Sequence, residues 1–199
     1  MSSDDWNARY AAVDLVWGPA PNRFVAAELA GLAPGRALDV ACGEGRNAVW
    51  LAERGWRVTG IDFSEQAIDR ARRLAADRGV DVTFSVGNVL TAPLESGAFD
   101  LVLISYLQLP PEERATVVRR VVTALAPGGT FFLVGHDLRN HDEGQGGPKN
   151  PSLLWTAAEI TDELTARELV VERAGEVIRE VEGARRPAID TLVVARLPG

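Results

Sequence analysis

Lysine is almost missing from this 199-residue chain: Lys149 is the only one. Without a Gly-Lys-Ser/Thr step there is no Walker-type phosphate loop, and Schiff-base chemistry has almost no residue to use. Cysteine is equally scarce. Cys42 stands alone, so an intrachain disulfide is excluded and nothing points to secretion. Basic clusters are absent. Arg119-Arg120 and Arg185-Arg186 are isolated pairs in a chain of net charge -7, which argues against a nucleic-acid partner. No apolar run approaches the roughly 20 residues of a membrane span, so no membrane partner is expected. The opening "MSSDDWNARY" has neither a basic start nor an apolar stretch, so no signal peptide is expected and a cytoplasmic location is the default. Hydrophobic residues, at 46%, suffice to bury a core, and the length suits a single domain over residues 1–199.

Helices and strands alternate along the sequence. Asn22 opens a helix, "NRFVAAELAGL", that Pro34-Gly35 stops. "RALDVAC" and "WRVTGID" are strands on either side of a helix over 46–54. "SEQAIDRARRLAADRG" is a helix with Ser64 as N-cap and Gly79 as stop. "VDVTFSVG" and the nearly all-apolar "AFDLVLIS" are further strands. A helix over "PPEERATVVRRVVTALA" ends at Pro127-Gly128-Gly129, and "TFFLVGH" is a fifth strand. Residues 137–153 are a long polar loop, "TAAEITDEL" is a helix, and "ELVVERAGEVI" with "IDTLVVARL" form a last antiparallel pair. The pattern predicts an α/β fold: a doubly wound, seven-stranded, mainly parallel Rossmann-like sheet, its last strand antiparallel and helices on both faces. Such sheets bind ligands at the C-terminal ends of their strands.

The chemistry-bearing residues fall at those ends. Gly43-Glu44-Gly45 lies between strand one and its helix, where glycine lets a ligand approach the backbone. Asp62 ends strand two, placed to accept ribose hydroxyls, and Phe63 beside it offers a ring to an adenine. Asn88 ends strand three, where an amide reaches an adenine edge. A nucleoside is therefore expected. Gly43-x-Gly45-x-x-Ala48 also fits a dinucleotide pattern. Against an NAD(P)-dependent reductase stand the short chain, the lack of any Tyr-x-x-x-Lys and Asp39, whose charge a pyrophosphate would oppose. Asp39 suits a ligand that carries positive charge. Arg46 and Arg23 are placed either to pair with a cofactor carboxylate or to serve the surface.

Asp39-x-Ala41-x-Gly43-x-Gly45, then Asp62, Asn88, "FDLVLIS" and "LAPGGTFFLV", together resemble class I S-adenosylmethionine-dependent methyltransferases, over roughly residues 20–136. "CGEGRNAVWLAERGWRVTGID" and "WGPAPNRF" look like the tellurite-resistance and thiopurine methyltransferase branch. The resemblance implies S-adenosylmethionine as cofactor and a small-molecule methyl acceptor. Asp39, Gly43 and Gly45 would hold the methionine half, Asp62 the ribose, and Phe63, Asn88 and Val89 the adenine. Ser105 and Tyr106 would lie near the methionine amino group and the sulfonium. Ala41 stands where the family has a first glycine, an exchange expected to be harmless. Trp6, Tyr10 and Trp17 suggest that residues 1–20 form an N-terminal lid, with Trp17 against the cofactor.

On the acceptor side, His136 and His141 are the only histidines. His136 follows strand five directly, so it is the expected base if an acceptor arrives protonated. Tyr106 either packs or faces the sulfonium. A silent S-adenosylmethionine-binding protein is the remaining alternative.

Overall fold

The computed structural model describes Trp6 and residues 18–199. The lid expected over residues 1–20, with Tyr10 and Trp17, falls almost wholly outside the described residues. Seven strands form one sheet in the order β3-β2-β1-β4-β5-β7-β6. The described chain divides into two compact units. One holds the residues up to Pro93 with Phe99–Leu103; the other holds Leu94–Ala98 and Ile104–Gly199.

In the first unit, α1 (Arg23–Leu29) is capped by Asn22, whose side chain accepts from the Phe24 and Val25 N–H groups. β1 (Arg36–Val40) pairs in parallel with β2 (Arg57–Asp62), and β2 with β3 (Val82–Val86). Between them lie α2 (Arg46–Ala52) and α3 (Glu65–Arg78). Ser64 accepts from the Ala67 N–H at 3.1 Å, and Gly79 closes α3 in the left-handed conformation, as the sequence predicts. Leu38, Leu51 and Ile68 are among the fully buried side chains. Each such burial contributes about 1.5–3 kcal/mol.

The second unit contains the end of β4 (Phe99–Ser105), α4 (Pro111–Ala124), β5 (Leu125–His136), α5 (Asn140–Glu143), α6 (Ala157–Thr165), β6 (Val170–Arg179) and β7 (Ala188–Arg196). β7 runs antiparallel to both β5 and β6, so the antiparallel expectation for the last strand holds. Two local expectations change. Pro127-Gly128-Gly129 does not separate helix from strand; β5 starts at Leu125 and runs through them. The reason is an added partner: the Gly128 N–H donates to Leu197 O and the Leu197 N–H to Gly129 O, each at 2.9 Å. The expected loop over 137–153 also contains α5 and a 3-10 turn at Pro151–Leu153. Its ends are tied by Trp155 N–H to His136 O and Leu138 N–H to Trp155 O. Among the described residues, no helix is long and apolar enough to cross a membrane.

Candidate functional site

Chemistry concentrates in two places, one in each unit. The first is the turn after β1. Ala41, Gly43 and Gly45 all have positive φ, at 54°, 53° and 78°. The glycine at 45 is required by packing: a Cβ there would lie 2.7 Å from Ala71 Cβ and 2.9 Å from Phe84 Cζ. The close approach is that of α3 and β3. Ala41 in the left-handed region is not the harmless exchange expected, because a Cβ there costs roughly 1–2 kcal/mol. Glu44 between the glycines is buried and pairs with Arg70 of α3 at 2.8 Å.

Asp62 closes this turn. Its Oδ2 accepts the Gly43 N–H and its Oδ1 the Ser64 N–H, both at 2.9 Å. Burial raises its pKa, and the N–H groups of Ser64, Gly43 and Phe63 hold that rise back. Each oxygen keeps a second lone pair for a hydroxyl donor. Phe63 is half-buried and Val89 buried, whereas Asn88 is exposed. The Asn88 amide oxygen accepts the Leu90 N–H at 2.9 Å and so helps to close a turn.

Asp39 differs from the other described acids of this unit. It is 1% exposed, and neither carboxylate oxygen has a hydrogen-bond partner. Burial, and then the charge of Asp62, push its pKa up to about 8; the nearby Ala48 N–H, not aligned as a hydrogen bond, and the charge of Arg46 offset only part of this. Arg46 opens α2, and no side chain caps that helix. Arg23 is exposed, its guanidinium 5.6 Å from the centre of the Phe24 ring. Cys42 is buried and its thiol is pushed far up by burial, so it is a packing residue.

The second place lies where β4 and β5 end in the second unit. Tyr106 has φ 56°, a genuine outlier for a bulky residue. Its hydroxyl donates to Asp190 Oδ2 at 2.7 Å and accepts from Arg179 Nε at 3.2 Å. Arg179 Nε also donates to Asp190 Oδ2 at 2.8 Å. His136 Nδ1 stands 3.2 Å from Asp190 Oδ1, and its ring lies 4.9 Å from that of Tyr106. Burial would raise the pKa of Asp190, but the nearby His136 ring and the hydrogen bonds from Arg179 and Tyr106 outweigh it and hold the carboxyl below its ordinary value. Gly147 packs on the imidazole, since a Cβ there would meet His136 Cγ at 3.0 Å. His141 is exposed, with only Asp142 at 3.8 Å. Ser105 ends β4, partly exposed.

Asp190 and Arg179 were not among the expected site residues. An acid within the apolar run "IDTLVVARL" was the available signal. Arg114 is likewise buried without any mark in the sequence. It donates to both oxygens of Glu159 at 2.9 Å and to the carbonyls of Ser152 and Leu154, with Trp155 5.0 Å beneath it.

Residues 37–129 match the family model described as a methyltransferase domain. Over 106 residues the chain is 36% identical to the 2-heptyl-1-hydroxyquinolin-4(1H)-one methyltransferase of Mycobacteroides abscessus, covering 52% of this chain and 47% of that protein. Over 108 residues it is 33% identical to the ribosomal RNA small subunit methyltransferase C of Alcanivorax borkumensis, covering 52% and 33%. These matches thus span half or less of the relatives' lengths. Among solved structures, the Burkholderia thailandensis 1,6-didemethyltoxoflavin-N1-methyltransferase, with 1,6-didemethyltoxoflavin and S-adenosylhomocysteine bound, shares the fold. Its TM-score is 0.75 at 24% identity, over 99% of this chain and 87% of that one. Residues 37–129 thus resemble a methyltransferase domain, and the whole sheet has the fold of such enzymes.

Proposed function

We propose that the protein transfers a methyl group from S-adenosylmethionine to a small-molecule acceptor. The observation that carries this is Asp39. A buried carboxylate without a donor is costly, and it is a natural partner for a ligand that brings a positive charge. The ammonium of the methionine half supplies that charge, whereas the pyrophosphate of a dinucleotide would add a second negative one. The donor set therefore fits this cofactor and not NAD(P).

In this reading Asp39 and the turn at Ala41, Gly43 and Gly45 hold the methionine half, with Arg46, Arg23 and Trp17 toward its carboxylate. Asp62 takes the ribose through its remaining lone pairs. Phe63, Asn88 and Val89 border the adenine, and Ser105 and Tyr106 serve the methionine amino group and the sulfonium. When bound, the cofactor supplies a methyl group on a sulfonium whose departure needs no acid. The chain's own task is to position, to exclude water and, for a protonated acceptor, to take one proton. His136 is the side chain for that proton.

The net charge of -7 and the absence of a basic cluster support a small acceptor over a nucleic acid. The single cysteine supports a cytoplasmic location. The run "CGEGRNAVWLAERGWRVTGID" supports the tellurite-resistance and thiopurine branch. The aromatic residues Trp6, Tyr10 and Trp17 support a lid role for residues 1–20.

Calorimetry with S-adenosylhomocysteine and with NADH tests the cofactor. Binding of the first alone is expected, and binding of NADH alone would reverse the assignment. Labelled S-adenosylmethionine with a metabolite extract then identifies the product. Cofactor binding with no label transferred would leave a silent binding protein.

A further inference from the structure

We propose that His136 and Asp190 form a base dyad, and that the acceptor is therefore a neutral small molecule presenting a weakly acidic O–H or N–H. This deepens the methyl-transfer reading and rests on it. The two residues face each other across the β5–β7 ladder, in register. Asp190 is 0% exposed. Its Oδ2 takes both the Tyr106 hydroxyl and Arg179 Nε, which fixes how the carboxylate is turned. Oδ1 lies 3.2 Å from His136 Nδ1, a buried nitrogen with no aligned hydrogen bond in this structure, so this carboxylate is the acceptor beside it. An ionised carboxylate only accepts hydrogen bonds, so the nitrogen facing it carries the proton. The lone pair of the neutral ring is then on Nε2.

The charged and titratable groups near His136 come from three elements. Asp190 comes from β7, Arg179 from the end of β6, bonded to Asp190, and Tyr106 from the residue after β4. From the covering segment 144–147, Gly147 meets the ring. Among the described residues, Asp190 is thus the carboxylate placed to stabilise an imidazolium here. Arg179 and Tyr106 are positioning residues for Asp190, which in turn positions His136. Tyr106 keeps its strained backbone for this hydrogen bond.

The step balances as follows. The electron pair of the acceptor heteroatom forms the bond to the methyl carbon. The carbon–sulfur bond breaks and leaves its pair on sulfur. The acceptor's proton passes to Nε2, and the imidazolium later loses it to water. A thiolate or a metalloid lone pair requires no such dyad, so O–H and N–H acceptors are the class that uses it.

The deciding measurement is the tautomer of His136. A His141→Gln variant labelled with 15N-histidine leaves one imidazole to observe by long-range nitrogen–proton correlation. The expected neutral form carries its proton on Nδ1, and Asp190→Asn removes that preference. A proton found on Nε2 with Asp190 intact would overturn the dyad. Label transfer to 2-naphthol, 2-naphthylamine and 2-naphthalenethiol supplies a second readout. His136→Gln and Asp190→Asn should each lower transfer to the first two about 10²-fold. Transfer to the thiol should fall less than transfer to the other two. Equal losses on all three probes would also overturn the proposal. If none accepts methyl, the tautomer decides alone. Failure to bind S-adenosylhomocysteine would sink the methyl-transfer reading and leave the tautomer result standing.

Discussion

Two buried aspartates, one in each unit, make opposite statements about their surroundings. Asp39 has no partner on either oxygen, and its pKa rises to about 8. Asp190, buried as completely, receives Tyr106 and Arg179 and is held below its ordinary pKa. Desolvation acts on both, so the difference lies in the donors and in the neighbouring charges, Asp62 beside Asp39 and Arg179 beside Asp190. An unpartnered buried charge marks a place completed from outside the chain. A fully partnered one marks a side chain held still so that it can orient another. The first suits a binding site and the second a catalytic one.

The sharpest way to break this contrast is removal of each carboxylate in turn. Asp190→Ala leaves Arg179 without its counter-charge and should cost about 3 kcal/mol. That is the low end for a broken buried pair, because a quarter of the Arg179 side chain reaches solvent. Asp39→Ala should cost far less at pH 8, since no donor loses a partner. Urea unfolding of the unliganded variants checks both, and equal losses would erase the distinction.

The pH dependence of stability should then carry opposite signs. For Asp39 the folded pKa is raised, so the folded chain holds more protons than the unfolded one between about pH 4 and about pH 8. Its contribution to stability therefore falls as pH rises across that window, by about 1.4 kcal/mol per pH unit. Asp39→Asn should flatten this slope in thermal unfolding. Asp190 has a lowered folded pKa, so its stabilisation is present above the unfolded value and is lost as pH falls through the folded one.

Ligand binding should report the same proton. An ammonium beside Asp39 favours the carboxylate, so binding below about pH 8 expels a proton. Affinity for S-adenosylhomocysteine should drop by up to about tenfold per pH unit below that point. Calorimetry at pH 7 in buffers of different ionisation heat should show release of close to one proton. No dependence on the buffer would mean that Asp39 is already charged.

The smallest effect belongs to the turn. Ala41→Gly relieves a left-handed alanine, worth roughly 1–2 kcal/mol, but frees the unfolded chain by about 0.4–1 kcal/mol. A net gain of about 1 kcal/mol or less is expected in urea unfolding. Gly45→Ala should destabilise instead, because Ala71 and Phe84 occupy the space of the new Cβ.

The first site was legible because local sequence carries it. Asp39, Ala41, Gly43 and Gly45 are successive positions on one turn, and Asp62 sits one parallel strand away at a predictable strand end. A packing reason for Gly45 was not legible, since the contact of α3 and β3 with the turn is long-range. The second site was half legible. His136 and Tyr106 end strands and could be named, but what they face could not. Asp190 lies 84 residues from Tyr106, and Arg179 is 73 residues from it. β5 likewise began five residues earlier than its glycines suggest, because its extra partner follows β7.

By itself, the sequence determined the alternation of strands and helices, the strand-end position of each candidate residue and the acidic balance that disfavours nucleic acid. These follow from hydrophobic period, caps and charge, which act over a few residues. Only the tertiary structure decided which carboxylate stays without a partner and which is bound on every side. Desolvation and hydrogen bonding depend on what the rest of the chain brings near: at Asp39 it aligns no donor with either oxygen, whereas at Asp190 it brings Tyr106 and Arg179 as donors and His136 alongside.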